Sequence, residues 1–175
     1  MDRSKTDKLL VAGKILVITL KVILGLATVG LAAAIPAIFF SRSHVADALA
    51  PGYSLPAALA TITGGLLLGI AMLAAAFRFV QLLGRIIGTV GEGDPFVPEN
   101  ADRLSRMGWI TVGLQLAAIP MTAFASILGQ YFPETHIEID AGVSLNGVVL
   151  AIVLFILARV FRQGAAMRED LEGTV

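Results

Sequence analysis

Residues 48–77 read ALAPGYSLPAALATITGGLLLGIAMLAAAF and carry no charge. Pro51 and Pro56 put the start of a helix near Leu55, because proline is tolerated in a first turn and disrupts a helix further in. From there to Phe77 the run is long enough to cross about 30 Å of hydrocarbon, which takes roughly 20 apolar residues. Three further runs share this property. Residues 22–40 are uncharged and are extended by residues 16–21 toward the basic N-terminal segment. Residues 107–131 are entered through Trp109, a residue type suited to the membrane–water boundary. Residues 141–158 are shorter, and Arg159 completes the span by reaching its charge to the surface. The expectation is an all-α integral membrane protein, a four-transmembrane-helix bundle in one domain. Its spans fall at about 15–40, 55–77, 107–131 and 141–161, with a connecting loop at 78–106 and a tail at 162–175.

Composition agrees. The 175 residues are 57% hydrophobic and 15% charged, whereas a soluble domain carries about a quarter charged residues. The net charge is zero, which gives no footprint for nucleic acid. No cysteine is present, so disulfides, thiol chemistry and cysteine metal sites are excluded. The N-terminal run is longer than the 7–15 residues of a signal-peptide core, so a retained anchor is expected rather than a cleaved leader.

Basic residues orient the spans. Arg3, Lys5, Lys8 and Lys14 precede span one, Arg78, Arg85, Arg103 and Arg106 lie between spans two and three, and Arg159, Arg162 and Arg168 follow span four. The other two connections contain only Arg42. All heavily basic segments share one side if both termini are cytoplasmic, in a bacterial inner membrane.

Helices in lipid associate through close backbone approach. Ala57, Thr61, Gly65 and Gly69 place a small residue at every fourth position of span two. A tight crossing within the chain is the expected use, and homo-oligomerisation through the same stripe the alternative. Pro36 and Pro120 lie inside spans one and three. Ionisable groups within spans mark transport paths, and here only Lys21 sits well inside one, seven residues from Lys14 on the same face. Gln115 and Asn146 are polar groups able to bond across helices.

The connection between spans two and three begins as an amphipathic extension of span two, with Arg78, Gln81 and Arg85 on one face and Phe77, Val80, Leu83 and Ile87 opposite. The turn residues Gly91-Glu92-Gly93-Asp94-Pro95 stop it. A new helix starts at Pro98, with Glu99–Arg103 and Asp102–Arg106 spaced as i,i+4 ion pairs. In the tail, Val160, Gly164, Met167 and Leu171 form an apolar stripe on a helix that continues out of span four. It either packs on the loop or docks a partner through the same stripe.

The segment GDPFVPENADRL at 93–104, followed by Gly108-Trp109, resembles the G-x-P-F-x-x-x-N-x-x-R-L…G-W motif of a bacterial membrane family known as domain of unknown function 2975. LARVFRQG at 157–164 resembles that family's second signature. Span order and short outer loops agree as well, so the resemblance covers nearly the whole chain. It implies a four-span membrane protein without established enzymatic activity, of a kind encoded beside small helix-turn-helix regulators of the XRE type. No catalytic residues are implied. Candidate partner contacts are Asp94, Pro95, Phe96, Asn100, Arg103 and Leu104 in the loop, and Arg162, Gly164, Met167 and Leu171 in the tail.

On the outer face, residues 134–140 alternate with period two, which predicts a short extended segment before span four. That would align His136, Glu138 and Asp140, and His44 and Asp47 of the first outer loop would join them if the loops meet. Imidazole with carboxylates suits a divalent ion or a pH-responsive site, and a solvated edge is the plainer reading.

Three functions compete. The leading one is a regulatory or sensory membrane protein, in contact with lipid and holding a cytoplasmic regulator. A transporter or channel subunit is second, opposed by the scarcity of charge within the spans and by the lack of an inverted repeat. An intramembrane enzyme is third: G-x-S-x-G and H-E-x-x-H are absent, and no cofactor motif is present.

Overall fold

The computed structural model describes residues 3–134 and 142–172. Among the described residues five helices follow one another: α1 (Arg3–Phe40), α2 (Arg42–Asp47), α3 (Leu55–Gly91), α4 (Pro98–Tyr131) and α5 (Leu145–Glu172). Four of them are long and apolar enough to cross a membrane. The prolines act as punctuation where the sequence places them. Pro56 lies in the first turn of α3, and Pro98 opens α4 behind the extended Val97. Pro36 and Pro120 are carried inside continuous helices.

The long helices pack in chain order, α1 on α3, α3 on α4 and α4 on α5. Each pair is antiparallel. Gly84 faces Val17 while Gly69 faces Leu31, Gly64 faces Phe124, and Gly108 faces Phe155 while Gly147 faces Gln115. The starts of α1 and α4 and the ends of α3 and α5 therefore share one end of the bundle, called here the loop end. With 37 residues, α3 extends for about 55 Å, well beyond the roughly 30 Å of a hydrocarbon core. Its charged residues, Arg78 and Arg85, lie in the half toward the loop end.

The small-residue stripe of span two is an intrachain seam at its lower half. A Cβ on Gly69 would come within 2.9 Å of Leu31 on α1 and 3.7 Å of Met121 on α4, and Gly65 faces the ring of Phe124. Higher up, Ala57 is exposed and the Thr61 hydroxyl donates to the carbonyl of Ala57 in its own helix. The densest core is not midway along the bundle. It is the cluster of Leu82, Leu104, Met107, Leu154 and Ala158, with Phe79 and Phe161 packed against it, where α3, α4 and α5 converge beneath the loop end.

At the far end, the backbone N–H of Ala50 donates to the carbonyl of Tyr131 at 3.0 Å, and the rings of Tyr53 and Tyr131 lie 4.7 Å apart. The first connection thus meets the end of α4. Span four starts later than its apolar run: the described helix begins at Leu145, with the Ser144 Oγ accepting from the N–H of Gly147 as an N-cap does. Gln115 bonds across helices as expected, donating to the Ser144 carbonyl at 2.6 Å. The short extended segment expected at 134–140 falls, past Glu134, outside the described residues.

Candidate functional site

The loop end is built in two layers. The inner one begins with the way α3 stops. Gly93 has φ +86°, the left-handed conformation that glycine adopts without steric cost. Its N–H donates to the carbonyl of Val90, and the next N–H, from Asp94, donates to the carbonyl of Thr89. That pair of bonds is the Schellman closure of a helix C-terminus, and it turns the chain back toward α4.

Asn100, in the first turn of α4, ties the turn down. Its amide nitrogen donates to the Thr89 hydroxyl at 2.7 Å and to the Pro95 carbonyl at 2.9 Å. Its Oδ1 accepts from Arg103 at 2.7 Å, and the residue is 0% exposed. One side chain therefore joins the end of α3, the loop and α4. Two sequence expectations change here. Arg103 turns to Asn100, and Asp102 bridges to Arg162 on α5 at 3.2 Å instead of to Arg106. Asn100 and Leu104, read from the sequence as partner contacts, are both buried; their polar and apolar groups are used within the chain, so they shape the loop without forming its surface.

The outer layer docks α5 on the loop. The Phe96 ring lies 5.3 Å from that of Phe161 and fills the space over Gly164, where a Cβ would come within 2.7 Å of it. Arg168 pairs with Asp94. Below, a Cβ on Gly108 would meet the Phe155 ring at 2.9 Å, and Trp109 packs edge-on against that same ring. Residues of the two sequence motifs thus share physical tasks, and the tasks are mutual. The first motif supplies the turn, the asparagine tie and the aromatic lid; the second supplies the glycine seat, Phe161 and the arginine that meets Asp102.

Of the tail candidates, Met167 is exposed and Arg162 half-committed to a solvent-facing ion pair. The backbone of Leu171 is helical, and its side chain lies outside the described ones. Thr89, Phe155 and Phe161 belong to the site and were not singled out from the sequence. Phe161 stood in the quoted signature, but its partner Phe96 is far away in the chain.

The outer candidates do not come together among the described residues. His44 lies on α2 beside an apolar cavity of about 520 Å³ bounded by Ala34, Ile38, Ile62 and Leu128, and Asp47 is exposed at the end of the same helix. His136, Glu138 and Asp140 lie outside the described residues. Among those described, no three His, Cys, Asp or Glu side chains group as a metal site.

Fold and site define a multi-pass helical membrane protein whose loop and C-terminal helix close on each other at one end. The chain belongs to the family described as "Protein of unknown function (DUF2975)", whose profile matches residues 65–175. The match runs from the first third of α3 through both motifs and leaves α1 outside it. No curated protein and no solved structure matches the chain.

Proposed function

We propose that the protein is a regulatory membrane protein of the bacterial inner membrane that holds a small cytoplasmic helix-turn-helix regulator at its loop end. The observation that carries this reading is the mutual docking of the two family motifs in one projecting junction. The basic residues at this end support a cytoplasmic placement, with both termini on that side.

The two layers differ in what it takes to open them. The ion pairs of the outer layer are solvent-facing and contribute at most about 1 kcal/mol each. The Phe96–Phe161 contact adds about 1 kcal/mol. The Asn100 network is buried, and leaving its groups unpaired costs about 1–3 kcal/mol for each. The tail of α5 is therefore the exchangeable part, and the loop keeps its shape when the tail lifts. A partner that binds Phe96 and the Met167 face better in the lifted state shifts the equilibrium by its difference in affinity for the two states.

Crosslinking in native membranes, followed by purification through an N-terminal tag, tests the proposal. A small helix-turn-helix protein should accompany the wild type and be lost with Phe96→Ala and Met167→Glu, but not with Tyr53→Ala at the far end. A partner-free wild type would remove the regulatory reading.

A further inference from the structure

Near the loop end, the contact between α1 and α3 opens into a groove of about 360 Å³. Val17 on α1 and Gly84 and Gln81 on α3 form its walls, and Lys14, Lys21 and Arg85 supply its charge. Gly84 makes the room. A Cβ there would sit 2.9 Å from Val17 Cγ1 and 3.7 Å from Lys21 Nζ, so the Lys21 ammonium lies against bare backbone. Lys14 and Lys21 are two helical turns apart on one face of α1. Gln81 accepts from Arg78 through its Oε1, which leaves its amide N–H groups as donors.

Among the described side chains, two of the arginines at this end have a carboxylate partner, and the cations of the groove do not. Arg162 meets Asp102 and Arg168 meets Asp94, whereas Arg103 donates to the neutral Asn100. No carboxylate lines the groove, and among the described side chains Lys14, Lys21 and Arg85 have no acidic partner. Three like charges around one groove repel one another, and a bound anion relieves that repulsion. Ile18 and Val22, exposed on α1 next to the groove, continue it as an apolar track along the helix.

We propose that this groove binds a phosphate-bearing anion, supplied as the headgroup of an anionic phospholipid whose acyl chains follow the apolar track on α1. Lys21 and Arg85 grip the phosphate from opposite helices, Lys14 closes the outer edge, and Gln81 donates from the side. This binding fixes α1, which touches neither α4 nor α5 extensively, against the rest of the bundle. It is independent of any partner at the junction.

The test is native mass spectrometry of the delipidated full-length protein titrated with phosphatidylglycerol or phosphatidylcholine. One phosphatidylglycerol should be retained in preference to phosphatidylcholine. The double variant Lys21→Met, Arg85→Gln should weaken that retention about tenfold or more, the loss of one to two charge-assisted bonds. Lys21→Arg should preserve it, as should Arg159→Gln, which removes an exposed cation on α5 outside the groove. Circular dichroism matching the wild type establishes that the double variant is folded. Displacement of the lipid by inorganic phosphate would support the phosphate site and assign it to a soluble source. Equal retention of the two lipids, or equal loss in Arg159→Gln and the groove variant, would overturn the proposal.

Discussion

An asparagine with no exposed surface has to satisfy both amide hydrogens and its oxygen within the protein, and Asn100 does so with Thr89, Pro95 and Arg103. Asn100→Ala leaves the Pro95 carbonyl without its donor and Arg103 without its acceptor. A loss of about 2–3 kcal/mol is expected, readable as a lower unfolding midpoint in detergent. Thr89→Val removes the hydroxyl that accepts from Asn100 and donates to the Ile86 carbonyl, and because that carbonyl belongs to a helix turn the change should cost about half as much on the same scale. Steric demand, by contrast, is decided by what the neighbour is able to do. A Cβ on Gly164 would meet Phe96 at a shorter nominal distance than one on Gly108 would meet Phe155. Yet Phe96 is 41% exposed and free to swing outward, whereas Phe155 is half-buried and held by Trp109. Gly108→Ala is therefore the more damaging change, at about 1–3 kcal/mol of overpacking. Gly164→Ala should instead separate Phe96 from Phe161 at about 1 kcal/mol, and a Phe96→Ala background should remove most of that cost.

At the scale of the element, the sharp stop of α3 rests on the left-handed Gly93. Gly93→Ala should cost about 1–2 kcal/mol, and Gly93→Asn less, because asparagine tolerates that conformation; thermal unfolding of the two variants side by side checks the order. Helix ends of this kind were legible in the sequence. The glycines after Val90, the proline at 98 and the prolines before Leu55 each mark a boundary by their own backbone chemistry. The late start of α5 was not legible, since the apolar run from 141 continues straight into the helix. Nor was α2, too short to show a periodicity. The extension of α3 was read as having one apolar face, with Leu82 left out, although Leu82 is among its most buried residues. The reason is that α3 lies between α1 and α4 and buries two sides, which a single-stripe pattern undercounts. Ion pairing went the same way: spacing along one helix proposes Asp102–Arg106, but the actual partner, Arg162, lies 60 residues on. Cross-helix partners leave no local trace.

Across the whole molecule, the chain-order packing leaves α1 and α5 as the two ends of an open row, each with long apolar surfaces that lipid covers. α1 is joined to the rest mainly through α3, while α5 has two attachments: its packing along α4 and the clasp of its tail on the loop. That clasp brings residues 93–104 and 157–168 together and gives both motifs a reason to exist in one chain. The absence of cysteine from the sequence permits a direct test. With Phe96→Cys and Gly164→Cys introduced together, mild oxidation in native membranes should close an intramolecular disulfide, seen as a reducible shift in gel mobility of the monomer. Pairing Phe96→Cys with Ser41→Cys, at opposite ends of the bundle, should give none. Failure of the first pair to close, or closure only between two copies of the chain, would mean that the loop and the tail of α5 do not meet and would contradict the account.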